Sequence, residues 1–175
     1  MKLTPLPLQD AFLVEPITFE DERGSFSRAW DRETALEHGI DVEWVQYNLS
    51  TNKFAGTLRG LHYQFPRWEA KLVRVVSGAL YDVIVDIREA SPTRGKWVGY
   101  ELSAVNKRAL YVPPGFAHGF LTLEDDTDLY YQMSEFYVAE QASGIRFDDP
   151  ALGIEWPGEA KIMSDRDRAL PSWTA

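Results

Sequence analysis

Cysteine is absent from the 175 residues, which excludes a disulfide framework, a thiolate metal site and a cysteine nucleophile. Basic clusters are missing too: the formal net charge is -9 and the isoelectric point about 4.8. Nucleic-acid backbones and anionic membranes both reward clustered Lys and Arg, so neither is expected as a partner. An anionic small ligand would need a local basic pocket. No apolar run is long enough to span a bilayer. Met1-Lys2 leads into Leu3-Thr4-Pro5-Leu6-Pro7-Leu8, which lacks the continuous apolar stretch of a signal peptide. A soluble cytoplasmic protein is the expectation. The lack of a Gly-x-Gly-x-x-Gly phosphate loop argues against a nicotinamide-dependent dehydrogenase. Histidine is scarce, with 3 in the chain, yet His62 in Arg59-Gly60-Leu61-His62-Tyr63-Gln64 and His118 in Pro113-Pro114-Gly115-Phe116-Ala117-His118-Gly119-Phe120 both sit in glycine-flanked apolar surroundings. Such a pair either binds a metal or handles protons.

What the chain does contain is short apolar or alternating segments rich in Val, Ile, Tyr and Trp between turn residues, the pattern of β-structure. Strands are predicted near Trp44 to Ser50, Thr57 to Tyr63, Lys71 to Ser77, Leu80 to Ile87, Trp97 to Leu102, Leu110 to Val112, Gly119 to Leu123 and Leu129 to Tyr137. A helix is predicted at Arg32 to His38, with Asp31 as its N-cap and Gly39 as its left-handed stop. Ser77-Gly78 resembles a tight hairpin, or marks a longer turn. In Leu80 to Ile87 one face carries Tyr81, Val83, Val85 and Ile87. The other carries Leu80, Asp82, Ile84 and Asp86, and looks either into a wet cavity or to solvent. The length suits one domain over residues 1–175, and many short strands point to a sandwich, barrel or jelly roll.

The spacing Pro113-x-Gly115-x-x-His118 is similar to the second signature of the cupin jelly roll. The first signature of metal-binding cupins needs a His-x-His pair and a later Glu. Here it reads His62-Tyr63-Gln64 followed by Glu69, one ligand short, although His62, Glu69 and His118 could in principle hold a divalent ion. More specific motifs follow in order: Phe19-x-Asp21-x-Arg23-Gly24, Gln46-x-Asn48-x-Ser50, Leu58 to Gln64, Lys71-Leu72-Val73-Arg74-Val75, Asp82 to Arg88, Ser91-Pro92-Thr93, Gly115 to Phe120 and Ser164-x-Arg166-Asp167. From about Phe12 to Pro171 the chain resembles the dTDP-4-dehydrorhamnose 3,5-epimerases. That resemblance implies an all-β, metal-free and cofactor-independent cupin jelly-roll barrel with short flanking helices, usually a homodimer. It inverts carbons flanking the ketone of a nucleotide-linked 4-keto-6-deoxy sugar, on the route to L-rhamnose.

The residues make chemical sense of that reaction. A hydrogen beside a ketone becomes removable when a base sits against it and the developing enolate meets positive charge or donors. His62 suits the base, since imidazole titrates near neutrality. The resemblance gives Asp167 the task of fixing its tautomer, Lys71 and His118 the enolate oxygen, and Tyr131 the acid on the opposite face of the ring. In a regular strand Tyr131 and Tyr137 share one face and would both look into the barrel. Arg23, Arg59 and Arg166 stand where the family recruits cations for the diphosphate, Gln46 and Asn48 would add neutral donors, and Phe26, Arg28 and Tyr137 fall among the substrate-binding positions. Arg59 and His62 are an odd number of positions apart, so a shared site requires a bulge, with Gly60 its expected place.

Three positions depart from the family pattern: Arg28 where an acidic residue is common, Glu69 where a Gln is frequent, and Ala142 where a Glu is expected. They touch substrate identity rather than proton transfer. A CDP- or GDP-linked 4-keto hexose or heptose, inverted at C3, C5 or both, remains an alternative substrate. A metal-dependent cupin isomerase or oxygenase is a second alternative, and a non-catalytic sugar-nucleotide-binding module a third.

Overall fold

Alternating apolar and polar residues condense into short antiparallel strands in the computed structural model, which describes residues 1–174. In chain order these are β1 (Lys2–Pro5), β2 (Phe12–Glu15), β3 (Thr18–Asp21), β4 (Gly24–Ser27), helix α1 (Arg32–Glu37), β5 (Gln46–Asn52), β6 (Leu58–Gln64), β7 (Lys71–Ser77) and β8 (Ala79–Asp86). There follow β9 (Trp97–Ser103), β10 (Ala109–Val112), β11 (Phe116–Thr122), β12 (Thr127–Met133), a 3-10 turn (Ala139–Gln141), β13 (Ala142–Gly144) and helix α2 (Asp165–Arg168). One sheet has the order β1-β2-β10-β7-β12-β5 and the other β13-β6-β11-β8-β9, while β3 and β4 form a separate hairpin.

The two large sheets pack face to face over a core that includes Val73, Val75, Leu110 and Leu129 from the first and Leu80, Ile84, Leu102 and Phe120 from the second. This is a cupin-type jelly roll. The outer face of the first sheet is covered by α1 and its flanks through Ala35, Ile40, Trp30 and Trp44. The C-terminal segment covers the second through Ile145, Leu152, Trp156 and Trp173. Asp31 accepts the Thr34 amide as the N-cap of α1, and Gly39 follows the helix with φ +76°.

Sequence and structure part company at a few places. Ser77-Gly78 is not a tight hairpin: β7 pairs with β10 and β12, β8 with β11 and β9, so Gly78 turns the chain from one sheet into the other. A Cβ there would stand 2.4 Å from Thr127 Oγ1, and only glycine allows that corner. The strand expected to run through Tyr137 stops at Met133, because the following backbone is taken by side chains. Tyr137 N donates to Gln46 Oε1, Val138 N donates to Gln64 Oε1, and Gln64 Nε2 donates to the Phe136 carbonyl. Strands β1 to β4 and β13 escape the periodicity because each is only three or four residues long. β1 ends on Pro5, a residue that an edge position tolerates. Asp82 and Asp86 are both fully buried rather than solvated. Asp86 gathers Arg88, Ser91 and Thr93 and so pins the β8–β9 connection, and these hydrogen bonds outweigh burial to hold its carboxyl below the usual value of 3.8.

Candidate active site

Strand alternation sends Lys71 of β7 and Leu129, Tyr131 and Met133 of β12 inward from one sheet, and Arg59, His62 and Gln64 of β6 and His118 and Phe120 of β11 inward from the other. Together with Glu69, Tyr137 and Arg166 they line a cavity of about 260 Å³. The parity conflict between Arg59 and His62 is resolved where expected. His62 pairs with His118 and Arg59 with Phe120, so β6 carries one extra residue across this stretch. Gly60 (φ +122°) absorbs it, and a Cβ there would lie 2.5 Å from Gly119 Cα.

His62 Nε2 lies 2.7 Å from Asp167 Oδ1, on the short helix α2 whose N-cap is Ser164. The other carboxylate oxygen accepts the Gly60 amide at 3.3 Å. Burial alone would raise the Asp167 pKa, but the hydrogen bond and charge of His62, with the Gly60 amide, hold it below the ordinary 3.8. A carboxylate charged throughout the neutral range therefore takes Nε2–H and leaves the lone pair of His62 on Nδ1. His118 is held in the same way: its Nε2 sits 2.9 Å from Oδ2 of the buried Asp82.

Lys71 Nζ is 2.7 Å from Glu69 Oε1, both side chains being buried. Burial pushes the Tyr131 phenol above its ordinary value of 10; Arg59 opposes this, while Glu69 and Tyr137 add to it. The phenol is thus a proton donor at neutral pH rather than a phenolate. Arg59 is steadied by Asn52 Oδ1 at 2.8 Å, and Arg166 reaches toward the Ala142 carbonyl at 3.5 Å. Gln46 lies beside the cavity, donating to Asn48 Oδ1 while its own oxygen holds the Tyr137 amide; Asn48 Nδ2 is buried with no partner among the described residues.

His62, Asp167, Lys71, Tyr131, Arg59, His118, Tyr137 and Arg166 are therefore brought together, with Gln46 and Asn48 at the side. Arg23, Phe26 and Arg28 are not part of this cavity. Arg23 is paired with Asp21 on the β3–β4 hairpin, Phe26 on the same hairpin is 70% exposed, and Arg28 bonds Asp31, the cap of α1. His62, Glu69 and His118 do not form a metal trio. Each is engaged elsewhere, by Asp167, Lys71 and Asp82, and no metal-holding group of three such side chains occurs among the described residues. Sequence reasoning did not identify Asp82 as the partner of His118, Glu69 as that of Lys71, or Asn52 as that of Arg59. The face Leu80, Asp82, Ile84 and Asp86 was the available signal for Asp82.

Residues 5–175 match the family model of dTDP-4-dehydrorhamnose 3,5-epimerase. The dTDP-4-dehydrorhamnose 3,5-epimerase of Shigella flexneri is 46% identical over 169 residues, 95% of this chain and 93% of that protein. The crystal structure of the Bacillus anthracis dTDP-4-dehydrorhamnose 3,5-epimerase, with TDP and PPi bound, superposes with a TM-score of 0.95 at 45% identity, covering 98% of this chain and 99% of that one. That of a dTDP-6-deoxy-D-glucose-3,5-epimerase from Legionella pneumophila, in complex with dTDP-4-keto-L-rhamnose, gives 0.91 at 38% identity, with 99% of each chain covered. The jelly roll, the residues around its cavity and these likenesses agree: the chain belongs to the dTDP-4-dehydrorhamnose 3,5-epimerase family.

Proposed function

We propose that residues 1–175 act as a single cytoplasmic epimerase domain. It converts dTDP-4-dehydro-6-deoxy-D-glucose to dTDP-4-dehydro-L-rhamnose by removing and returning the protons on the carbons beside the C4 ketone. The observation that carries this reading is that a carboxylate-held histidine and a protonated tyrosine reach one cavity from opposite sheets, His62 on β6 and Tyr131 on β12. Inversion needs this arrangement, since a proton must leave one face of the ring and arrive on the other.

His62 Nδ1 takes the carbon-bound proton, and the electron pair moves through the C3–C4 or C5–C4 bond to the ketone oxygen. Asp167 stabilises the imidazolium, as it would in any histidine base. Lys71 faces the enolate oxygen, and a preorganised donor of this kind is worth about 10²–10³ in rate; His118, whose Nε2 is held by Asp82, adds a donor there from Nδ1 only as the imidazolium. Burial keeps the proton on Tyr131 until the carbanion takes it from the far side. No step draws on a cofactor. NMR of the product formed from dTDP-4-dehydro-6-deoxy-D-glucose tests the reading: inverted configuration at both carbons is expected, and unchanged sugar would contradict it.

The cavity, at about 260 Å³, is smaller than the ~300–1,000 Å³ that encloses a drug-sized ligand, so it suits the keto sugar and an adjoining phosphate. The nucleoside then extends past Tyr137, which is half exposed. A homodimer is the arrangement we propose for the apolar surface left uncovered, Phe19 and Phe26 on the hairpin with Tyr47 and Leu49 on β5. It would bring Arg23, Phe26 and Arg28 to a ligand that they do not reach within their own chain. Arg28 in place of a carboxylate can stack on a base or donate to its carbonyl edges. Arg28→Glu is therefore expected to change the order of affinities for dTDP, CDP and GDP on titration. An unchanged order would confine Arg28 to its bond with Asp31.

A further inference from the structure

Between Met133 and the 3-10 turn the chain leaves its sheet, yet Tyr137 is still carried to the mouth of the cavity. Two glutamines hold it there. Gln64 is 2% exposed and spends its side chain on the main chain of two loops: Oε1 accepts the Val138 amide at 2.7 Å, while Nε2 donates to the Phe136 and Arg67 carbonyls, both at 3.1 Å. Both N–H bonds of its amide are thereby used. Gln46 takes the amide of Tyr137 itself at 2.9 Å. The residues on either side of Tyr137 are thus gripped by one buried side chain, which offers the donor and acceptor that a neighbouring strand would have supplied. Nothing in the proton transfer assigned to His62 and Tyr131 uses Gln64.

Gln64 stands two positions after His62 on β6, in a stretch that pairs in register with β13. Strand geometry places the two Cα atoms about 7 Å apart with their side chains on one face. The base and the grip on Tyr137 therefore belong to one rigid segment, and the half-exposed ring keeps a set spacing from His62 although it stands on a loop. We infer that Gln64 is a positioning residue for the far end of the substrate: it holds the Tyr137 ring where the nucleoside passes once the keto sugar lies against His62. This rests on the epimerase reading above and adds to it the element that spaces the reacting end from the nucleoside end. The side chain has to be a glutamine for this. Asparagine is one methylene short of both loops, and a carboxylate has no N–H for the two carbonyls.

A double-variant cycle between Gln64 and Tyr137 tests the inference. Gln64→Met and Gln64→Asn are each made in the wild type and in Tyr137→Ala, and deuterium uptake from dTDP-4-dehydro-6-deoxy-D-glucose is followed by NMR over a range of sugar concentrations. In the wild-type background either Gln64 variant should raise KM about 2- to 10-fold, the worth of one well-placed aromatic contact, with kcat for exchange changed less than about two-fold. In the Tyr137→Ala background the same changes should leave KM where Tyr137→Ala alone puts it. An equal rise in both backgrounds, or a fall in kcat with KM unchanged, would overturn the inference and leave the epimerase reading intact. Absence of exchange by the wild type would remove both. Independently of how the variants fold, the Val138 amide of the wild type should exchange with deuterated water at least about 10-fold more slowly than a free amide. Exchange at the free rate would also overturn the inference.

Discussion

Replacing His62 with Asn should abolish solvent exchange at C3 and C5 together while leaving the fold and nucleotide-sugar affinity nearly unchanged. The side chain is 40% exposed at the cavity wall, so its loss opens no void in the core between the sheets. An Asn amide can still donate toward Asp167, but it has no lone pair able to accept a carbon-bound proton at neutral pH. General-base losses are typically about 10²–10⁴-fold, and a loss in that range is expected here. NMR-detected deuterium uptake by the purified variant, with binding of dTDP as the control for integrity, checks this. Wild-type exchange would end the assignment of His62 as base.

Tyr131→Phe should separate two events that His62→Asn removes at once. Without the phenol the enolate can still form, because His62, Asp167 and Lys71 are untouched, and the proton can return from the face it left. Deuterium should therefore still enter at a flanking carbon, while inverted product falls by about 10²-fold or more, the cost of losing a positioned general acid. Among the described residues none hydrogen-bonds the phenol, so the variant loses no such bond, and a phenyl ring fills the same space between the sheets. Measuring exchange and product configuration in the same sample settles the role. Equal loss of both would place Tyr131 earlier in the reaction or in the architecture of the wall.

The jelly roll was legible because its central strands are regular. From Lys71 to Ile87 and from Trp97 to Leu102 the apolar pattern fits the observed β7, β8 and β9 to within a residue or two at each end. The ends and edges were not. The run expected to reach Tyr137 breaks after Met133 because Gln46 and Gln64 capture the next backbone amides, a long-range effect that no local pattern records. Tyr137 nevertheless lines the cavity, delivered by that loop rather than by strand alternation. The conflict between Arg59 and His62 shows the reverse case: alternation forbids a shared face, a glycine stands between them, and the bulge follows. A partner such as Asp82 for His118 depends on β8 meeting β11, and sequence spacing alone does not specify that; Glu69 stands only two residues from Lys71, but their pairing follows from both side chains being buried together. Arg23, Phe26 and Arg28 illustrate the limit of motif transfer. Their order in the chain resembles the family pattern, yet within one chain Arg23 and Phe26 stand on the β3–β4 hairpin and Arg28 just after it, apart from the cavity.

The central claim is that this cavity removes and returns protons at carbons beside a ketone, and it is tested most directly by the wild-type protein in deuterated water. With dTDP-4-dehydro-6-deoxy-D-glucose as substrate, the NMR signals of the C3 and C5 hydrogens should disappear with time as deuterium enters, with no added metal or cofactor. Retention of both signals at protein concentrations that bind the nucleotide sugar would contradict it.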